Sequence, residues 1–241
     1  MIQINKDKFQ ALVRKELRLY FNSPIAYIFL VVFLLLSSWL FFRTFFLIGQ
    51  TEMRGFFGIL PWIFLFLIPS LTMRLWSEEY RQGTVETLLT SSVSVEEAVL
   101  GKAAGSFIFL ALALLLTFPV AISLSFVGNL DWGVVLTAYF GALLLGMAYI
   151  SLGLFISSLT RNQIVAFIVS VLVLFAFLIL GDGIVTAFLP NWLGSLCKTL
   201  SLGTHYNSIL RGVIDTRDFI FYLSFIVLFL LLNVQTLKTR R

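Results

Sequence analysis

The sequence predicts an all-α polytopic membrane protein with six transmembrane helices, and three observations carry that expectation. Of its 241 residues 59% are hydrophobic and 12% charged, about half the charged share of an ordinary soluble domain. The apolar residues, 26 Phe among them, fall in long uncharged blocks rather than in the short periodic faces of a water-soluble core. Six of those blocks approach the roughly 20 residues that a helix needs to cross a hydrocarbon layer of about 30 Å.

Before the first block, residues 6–21 form an amphipathic helix. Phe9, Leu12, Val13, Leu17 and Tyr20 share one face, with Lys8, Arg14, Lys15 and Arg18 mostly elsewhere. Such a helix lies in the membrane surface, where its cations meet anionic lipid heads; the alternative is a solvated helix packed on another protein. Asn22-Ser23-Pro24 ends it and turns the chain inward.

The spans follow at 25–42, 56–73, 103–130, 132–160, 162–181 and 219–237. The two longest are expected to tilt or run into the interface. A shorter uncharged run, 183–197, is broken by Pro190 and is expected to be re-entrant or interfacial, within an outer segment 182–218. Non-helical backbone survives at membrane depth only where protein or water satisfies it. The first block is too long for the 7–15-residue core of a cleaved signal peptide, so it is expected to stay as a span.

Six spans starting inside place twelve Lys and Arg on the inner side. The outer side receives Arg43, Arg54, Lys198, Arg211 and Arg217. That bias predicts cytoplasmic N- and C-termini in a cell inner membrane, and an odd span count would strand the basic C-terminus outside. Basic residues exceed acidic ones, 17 to 12, but their clustering at both ends fits the membrane and not nucleic acid. The lone Cys197 permits no internal disulfide. With no internal repeat and no linker, residues 1–241 read as one membrane domain.

Catalysis is not expected of this chain. The spans hold no paired carboxylates, His/Glu cluster or activated nucleophile. His205 is the only histidine, without a Cys or second His nearby, and Gly101-Lys102 lacks the rest of a phosphate-cradling loop. No metal or cofactor site is therefore expected, and any energy source must be external.

The polar stretch 74–90 after the second span carries most information. Val85, Leu88 and Leu89 share a helical face behind Gly83, which supplies a turn, and Ser94 with Glu97 makes a capping box for the next helix. A helix of about two turns is marginal alone and must dock. Glu78, Glu79 and Glu86 would be repelled by an anionic leaflet, which favours a protein groove over lipid heads.

Glu79 through Leu89 has the form E-x-x-x-G-T-x-E-x-L-L, with Trp76-Ser77-Glu78 before it and Gly101-Lys102 entering the third span. In this loop, and in its order of interfacial helix and six spans, the chain resembles the permease subunits of type 2 ABC transporters, the ABC-2 exporters. The stretch 201–218 is similar to the segment before the last span in the gliding-motility and nitrous-oxide-reductase-maturation branch. Ser92 stands where many relatives have Pro, and Tyr206 where Phe is common.

The resemblance implies that the loop 77–92 couples to a separate cytoplasmic ABC ATPase dimer, which would hold ATP and Mg. The coupling residues would be Glu78, Glu79, Arg81, Gly83, Thr84, Val85, Glu86, Leu88 and Leu89. It further implies a second permease copy, identical or related, in a bacterial membrane, and for this branch a large extracytoplasmic or membrane-anchored auxiliary subunit. Gly101-x-x-x-Gly105, Ala142-x-x-x-Gly146 and Gly153-x-x-x-Ser157 are sites of close helix approach, between subunits or within one. In the outer segment, Trp192, His205, Tyr206 and Arg211 are candidate working residues, with Tyr206, Ile209, Leu210 and Val213 as an amphipathic turn. Two functions stay open: export or extraction of an unidentified, lipid-like or hydrophobic substrate, and transmission of force to an extracytoplasmic partner without moving a solute.

Overall fold

The computed structural model describes residues 6–48, 52–85, 93–213 and 215–239, and among these there is helix but no strand. Inside a bilayer a spanning backbone has no water to bond to, and a helix satisfies its own polar groups within one segment. The elements are α1 (Lys6–Phe21), α2 (Pro24–Ile48), α3 (Arg54–Thr72), α4 (Arg74–Gln82), α5 (Val95–Leu115), α6 (Phe118–Val127), α7 (Trp132–Leu159), α8 (Gln163–Ile179), α9 (Gly183–Ala187), α10 (Asn191–Leu200), α11 (Leu202–Ile209) and α12 (Thr216–Thr239).

Among the described residues five stretches are long and apolar enough to cross a membrane: Pro24–Arg43, Arg54–Gln82, Val95–Val127, Trp132–Leu159 and Thr216–Thr239. The sixth expected span, at 162–181, is instead the 17-residue α8, about 25 Å long at 1.5 Å per residue. Its first residue, Gln163, donates to Glu78 of α4. Near its other end the Leu178 carbonyl accepts from Ser201. Thus α8 connects the two ends of the bundle, one gathering α1, α4 and the start of α5, the other α9, α10 and α11.

Two spans depart from their expected bounds. The third begins earlier, at Val95, because Ser94 and Glu97 form the anticipated capping box, with Ser94 Oγ accepting from the Glu97 amide and the Glu97 carboxylate accepting from the Ser94 amide. It then breaks at Leu116–Thr117, where Pro119 follows and offers no N–H to continue the ladder. Thr117 Oγ1 donates to the Leu114 carbonyl (2.7 Å) and meets the Tyr139 hydroxyl (2.9 Å), so the broken turn is tied to α7. The second span is interrupted after Thr72 and resumes as α4.

The most enclosed helix is α7. Its small residues let neighbours approach closely: a Cβ on Gly146 would lie 2.1 Å from Leu110 Cδ2, and one on Gly153 2.2 Å from Thr72 Oγ1. Packing of this kind, with dispersion rather than water as its source, is what holds helices together in lipid. The pairs at 101/105, 142/146 and 153/157 all serve contacts inside one chain here. Gly101 and Gly105 face α1, Gly146 faces Leu110 and Phe64, and Gly153 faces Thr72. Along α2, α8 and α12, by contrast, large apolar side chains such as Leu35, Leu172 and Leu231 stay exposed, as expected where the bilayer is the solvent.

Among its described residues the 182–218 segment holds three short helices, α9, α10 and α11. The chain breaks between α9 and α10, as Pro190 predicts, and Pro190 caps the start of α10; α11 lies against α8, where a Cβ on Gly203 would stand 2.5 Å from the Leu178 carbonyl oxygen. Replacing Gly203 with Ala should force α11 off α8 and lower stability by about 1–3 kcal/mol. Gly58→Ala, where an added Cβ meets nothing within 4 Å, serves as the neutral comparison; thermal unfolding of both variants in detergent checks the difference.

Candidate functional site

The first contact of interest comes from a helix pair with matched spacing. On α1, Leu12, Glu16 and Tyr20 recur every four residues; on α5, Gly101, Gly105 and Phe109 do the same. Leu12 sits over Gly101, Glu16 over Gly105 (a Cβ there would lie 2.7 Å from Glu16 Cβ), and Tyr20 stacks on Phe109 at 5.1 Å. Ser106 donates to the Lys102 carbonyl (2.9 Å), so its oxygen accepts the Tyr20 hydroxyl at 2.8 Å. Burial drives the Tyr20 phenol well above its usual pKa, which keeps it a neutral donor. The face of Phe9, Leu12, Val13 and Leu17, expected to rest on the membrane surface, is only half-buried, and it turns toward α5 of its own chain.

This docking encloses an ionic node. Lys102, 4% exposed, donates to Glu16 Oε1 at 3.1 Å and to Glu79 Oε1 at 2.8 Å, with its ammonium 4.9 Å from the centre of the Trp76 ring. A buried charge is tolerated only when paired and hydrogen-bonded, and here one ammonium from α5 is held by carboxylates from α1 and α4. The node therefore fastens three elements that are distant in sequence. Neither Glu16 nor Lys102 was singled out by the charge pattern. The available signal was Lys102 beside a long uncharged run, together with Glu16 in register with Leu12 and Tyr20.

The opposite flank of α4 is fixed by hydroxyl and amide chemistry. Where α3 gives way to α4, the Trp76 and Ser77 amides both reach Ser157 Oγ of α7 (3.2 Å each), and Ser157 donates to the Met73 carbonyl (2.9 Å). One side chain thus satisfies the groups that a helix interruption would otherwise leave unpaired. Glu78 accepts from Arg81 (2.6 Å), Gln82 (2.7 Å) and Gln163 of α8. Trp76 and Ser77 are fully buried, so α4 is a clamped stem and not a loose loop.

Gly83 closes this stem in the left-handed conformation (φ 70°), its amide reaching back to the Glu79 and Tyr80 carbonyls, a helix ending that glycine adopts without steric cost. Helical backbone resumes at Thr84, which is exposed, and Val85, which is 5% exposed. Of the expected coupling residues, Glu78, Glu79, Arg81, Gly83, Thr84 and Val85 are gathered here. Glu86, Leu88 and Leu89 lie outside the described residues. The chain returns at the capped start of α5, where Glu96 pairs with Lys238 near the end of α12.

The expected outer residues separate into two groups. Tyr206 is buried and donates to the Phe57 carbonyl at 2.9 Å. His205 Nδ1 meets Asp218 Oδ1 at 2.6 Å and Nε2 meets the Thr199 carbonyl at 3.0 Å, with the ring stacked on Phe221 at 4.0 Å. These two anchor α11. Trp192 and Arg211 are exposed. In the expected amphipathic turn Tyr206, Ile209 and Leu210 are buried, whereas Val213 is exposed because Gly212 (φ 83°) turns the chain away.

The sequence pattern of the family described as ABC-2 family transporter protein matches residues 44–240, which include the stem and every helix from α3 onward. The chain belongs to that family. It is accordingly a multi-pass permease subunit of an ABC transporter, a membrane subunit whose ATP is hydrolysed by a cytoplasmic ABC ATPase partner. No individual curated protein matches it.

Removing the ammonium from the node leaves two buried carboxylates facing one another. Lys102→Met should cost about 3–5 kcal/mol, the range for breaking a buried ion pair from one side. Combining it with Glu16→Gln and Glu79→Gln should restore much of the loss. Thermal unfolding of the single and triple variants in detergent compares the two.

Proposed function

We propose that residues 84–90, within the loop 77–92, are the coupling element of this permease, docking in a groove of the ATPase so that nucleotide-driven closure moves the α4 stem as a lever. The observation that carries this reading is the stem itself. It is gripped from one side by Lys102 and from the other by Ser157 and Gln163, so a displacement of the segment that follows it would pass directly into α1, α5, α7 and α8. Val85, Leu88 and Leu89 would fill the groove, and Glu86 would meet basic residues on its rim.

In this reading the α1/α4 end is cytoplasmic, both termini are inside, and α8 is the sixth span. The bias of Lys and Arg supports that orientation, and the contacts of α8 with both ends support the span. A length of 17 residues sits at the lower limit for crossing. On the outer side, Ile184, Phe188, Trp192, Leu196 and Leu200 recur every four residues and are all more than half exposed. Such a stripe suits helices lying in the outer interface.

The central α7 is surrounded by helices of its own chain. A route for substrate would therefore run between two permease copies in the inner membrane, and the apolar exposed faces suit a lipid-like or hydrophobic cargo. A force-transmitting complex with an extracytoplasmic auxiliary subunit would use the same stem. It would differ in having a sealed interface between the copies.

The test is copurification. A tagged permease expressed in its native host should bring down an ABC ATPase. Leu88→Asp should lose that ATPase by tenfold or more, on the order of the 1.4 kcal/mol or greater expected from charging an apolar anchor, while still inserting in the membrane. Undiminished copurification by the variant would overturn the docking role.

A further inference from the structure

The wedge between α1 and α4 holds a cavity of about 410 Å³, within the range of small-ligand sites. Its walls have two characters. Leu19, Ile25, Ala26, Leu71 and Leu75 give it an apolar side, while Lys15 and Arg74 stand on the polar side above the Lys102 node. Lys15 and Arg74 are both exposed, and among the described residues neither forms an ion pair or hydrogen bond. The other charges lining the cavity are engaged: Glu16 and Glu79 hold Lys102, and Glu78 holds Arg81 directly and feels Arg74 at longer range.

We propose that this cavity is a binding site for one anionic phospholipid of the inner leaflet. The phosphate would sit between Lys15 and Arg74, and the first methylenes of the acyl chains would lie along Ile25, Ala26 and Leu71. The cavity opens at the elbow where an amphipathic helix turns into the first span, which is the depth of lipid phosphates when α1 lies in the interface. Two exposed cations outside any direct ion pair, lining one cavity with an apolar wall, match an amphiphile that carries both an anion and a hydrocarbon tail. A soluble anion would leave the apolar wall without a partner. Because the site touches Glu16, Glu79 and Lys102 at once, an occupant would bear on the same contacts that grip the stem. The inference rests on the orientation proposed above but not on ATPase docking.

The purified full-length permease in nanodiscs is the material for the test, with phosphatidylglycerol or phosphatidylcholine as the lipid and native mass spectrometry counting what stays bound after release into detergent. One phosphatidylglycerol per chain should be retained, and phosphatidylcholine should not. Each basic residue near a charged lipid surface contributes about 1 kcal/mol, so Lys15→Ala/Arg74→Ala should reduce retention by about tenfold or more. Arg14→Ala/Arg18→Ala removes the same charge from exposed positions of α1 that do not line the cavity, and retention should hold. Equal loss in both double variants, no loss in either, or equal retention of the two lipids would overturn the site. Displacement by millimolar glycerol phosphate would also overturn it, since the cavity would then be holding a head group without a tail. No ATPase is present in this measurement, so its failure is distinct from a failure of the Leu88→Asp test.

Discussion

A buried ammonium must be neutralised where it sits, and the arrangement at one end of this bundle follows from that requirement. Lys102 lies in a helix that is otherwise apolar over most of its length. Two carboxylates close on it, one from the helix before the first span and one from the helix after the second. Removing the lysine would leave both carboxylates without a partner in a poorly solvated place, and removing either carboxylate would leave the ammonium held from one side only. The node therefore gives little net stability relative to an apolar core, yet it fixes which elements meet. The register of α1 on α5, the position of α4 and the shape of the adjoining cavity all depend on it.

Elsewhere the same economy of polar groups applies with hydroxyls. Ser157 substitutes for a turn of helix at the α3–α4 interruption, and Thr117 with Tyr139 does the equivalent at the α5–α6 break. Each interruption sits where a neighbouring helix supplies the missing partner. That is the condition under which irregular backbone survives in hydrocarbon. The interior between these points is held by close approach at Gly146 and Gly153, and it needs no polar contact.

Much of this was legible in the amino-acid order because the bilayer imposes a length on apolar segments. Five spans, the amphipathic first helix, the Ser94–Glu97 capping box and the turn at Gly83 all follow from local rules of composition and spacing. The loop motif from Glu79 to Leu89 indicated the family that the pattern over 44–240 shows. What local rules could not supply was partnership. The pair Gly101 and Gly105 marks a close approach but does not say to which helix, and its partners Leu12 and Glu16 on α1 lie far back along the chain. Glu16 looked like one more polar residue of an amphipathic helix, since its burial depends on Lys102. That helix resumes directly after Pro190 was hidden, because proline, a breaker within a helix, is equally suited to begin one.

At the far end three of the anchoring bonds run from side chain to main chain: Tyr206 to the Phe57 carbonyl, Tyr222 to that of Leu202, Ser201 to that of Leu178. A main-chain oxygen is supplied whatever amino acid occupies the position. Phe57, Leu202 and Leu178 are thus free to drift among residues of similar bulk without unfastening these bonds, which constrain the three hydroxyl donors, while the His205–Asp218 pair constrains both of its side chains. A surface secured this way is able to diversify at those three carbonyl positions while its attachment to the bundle stays the same.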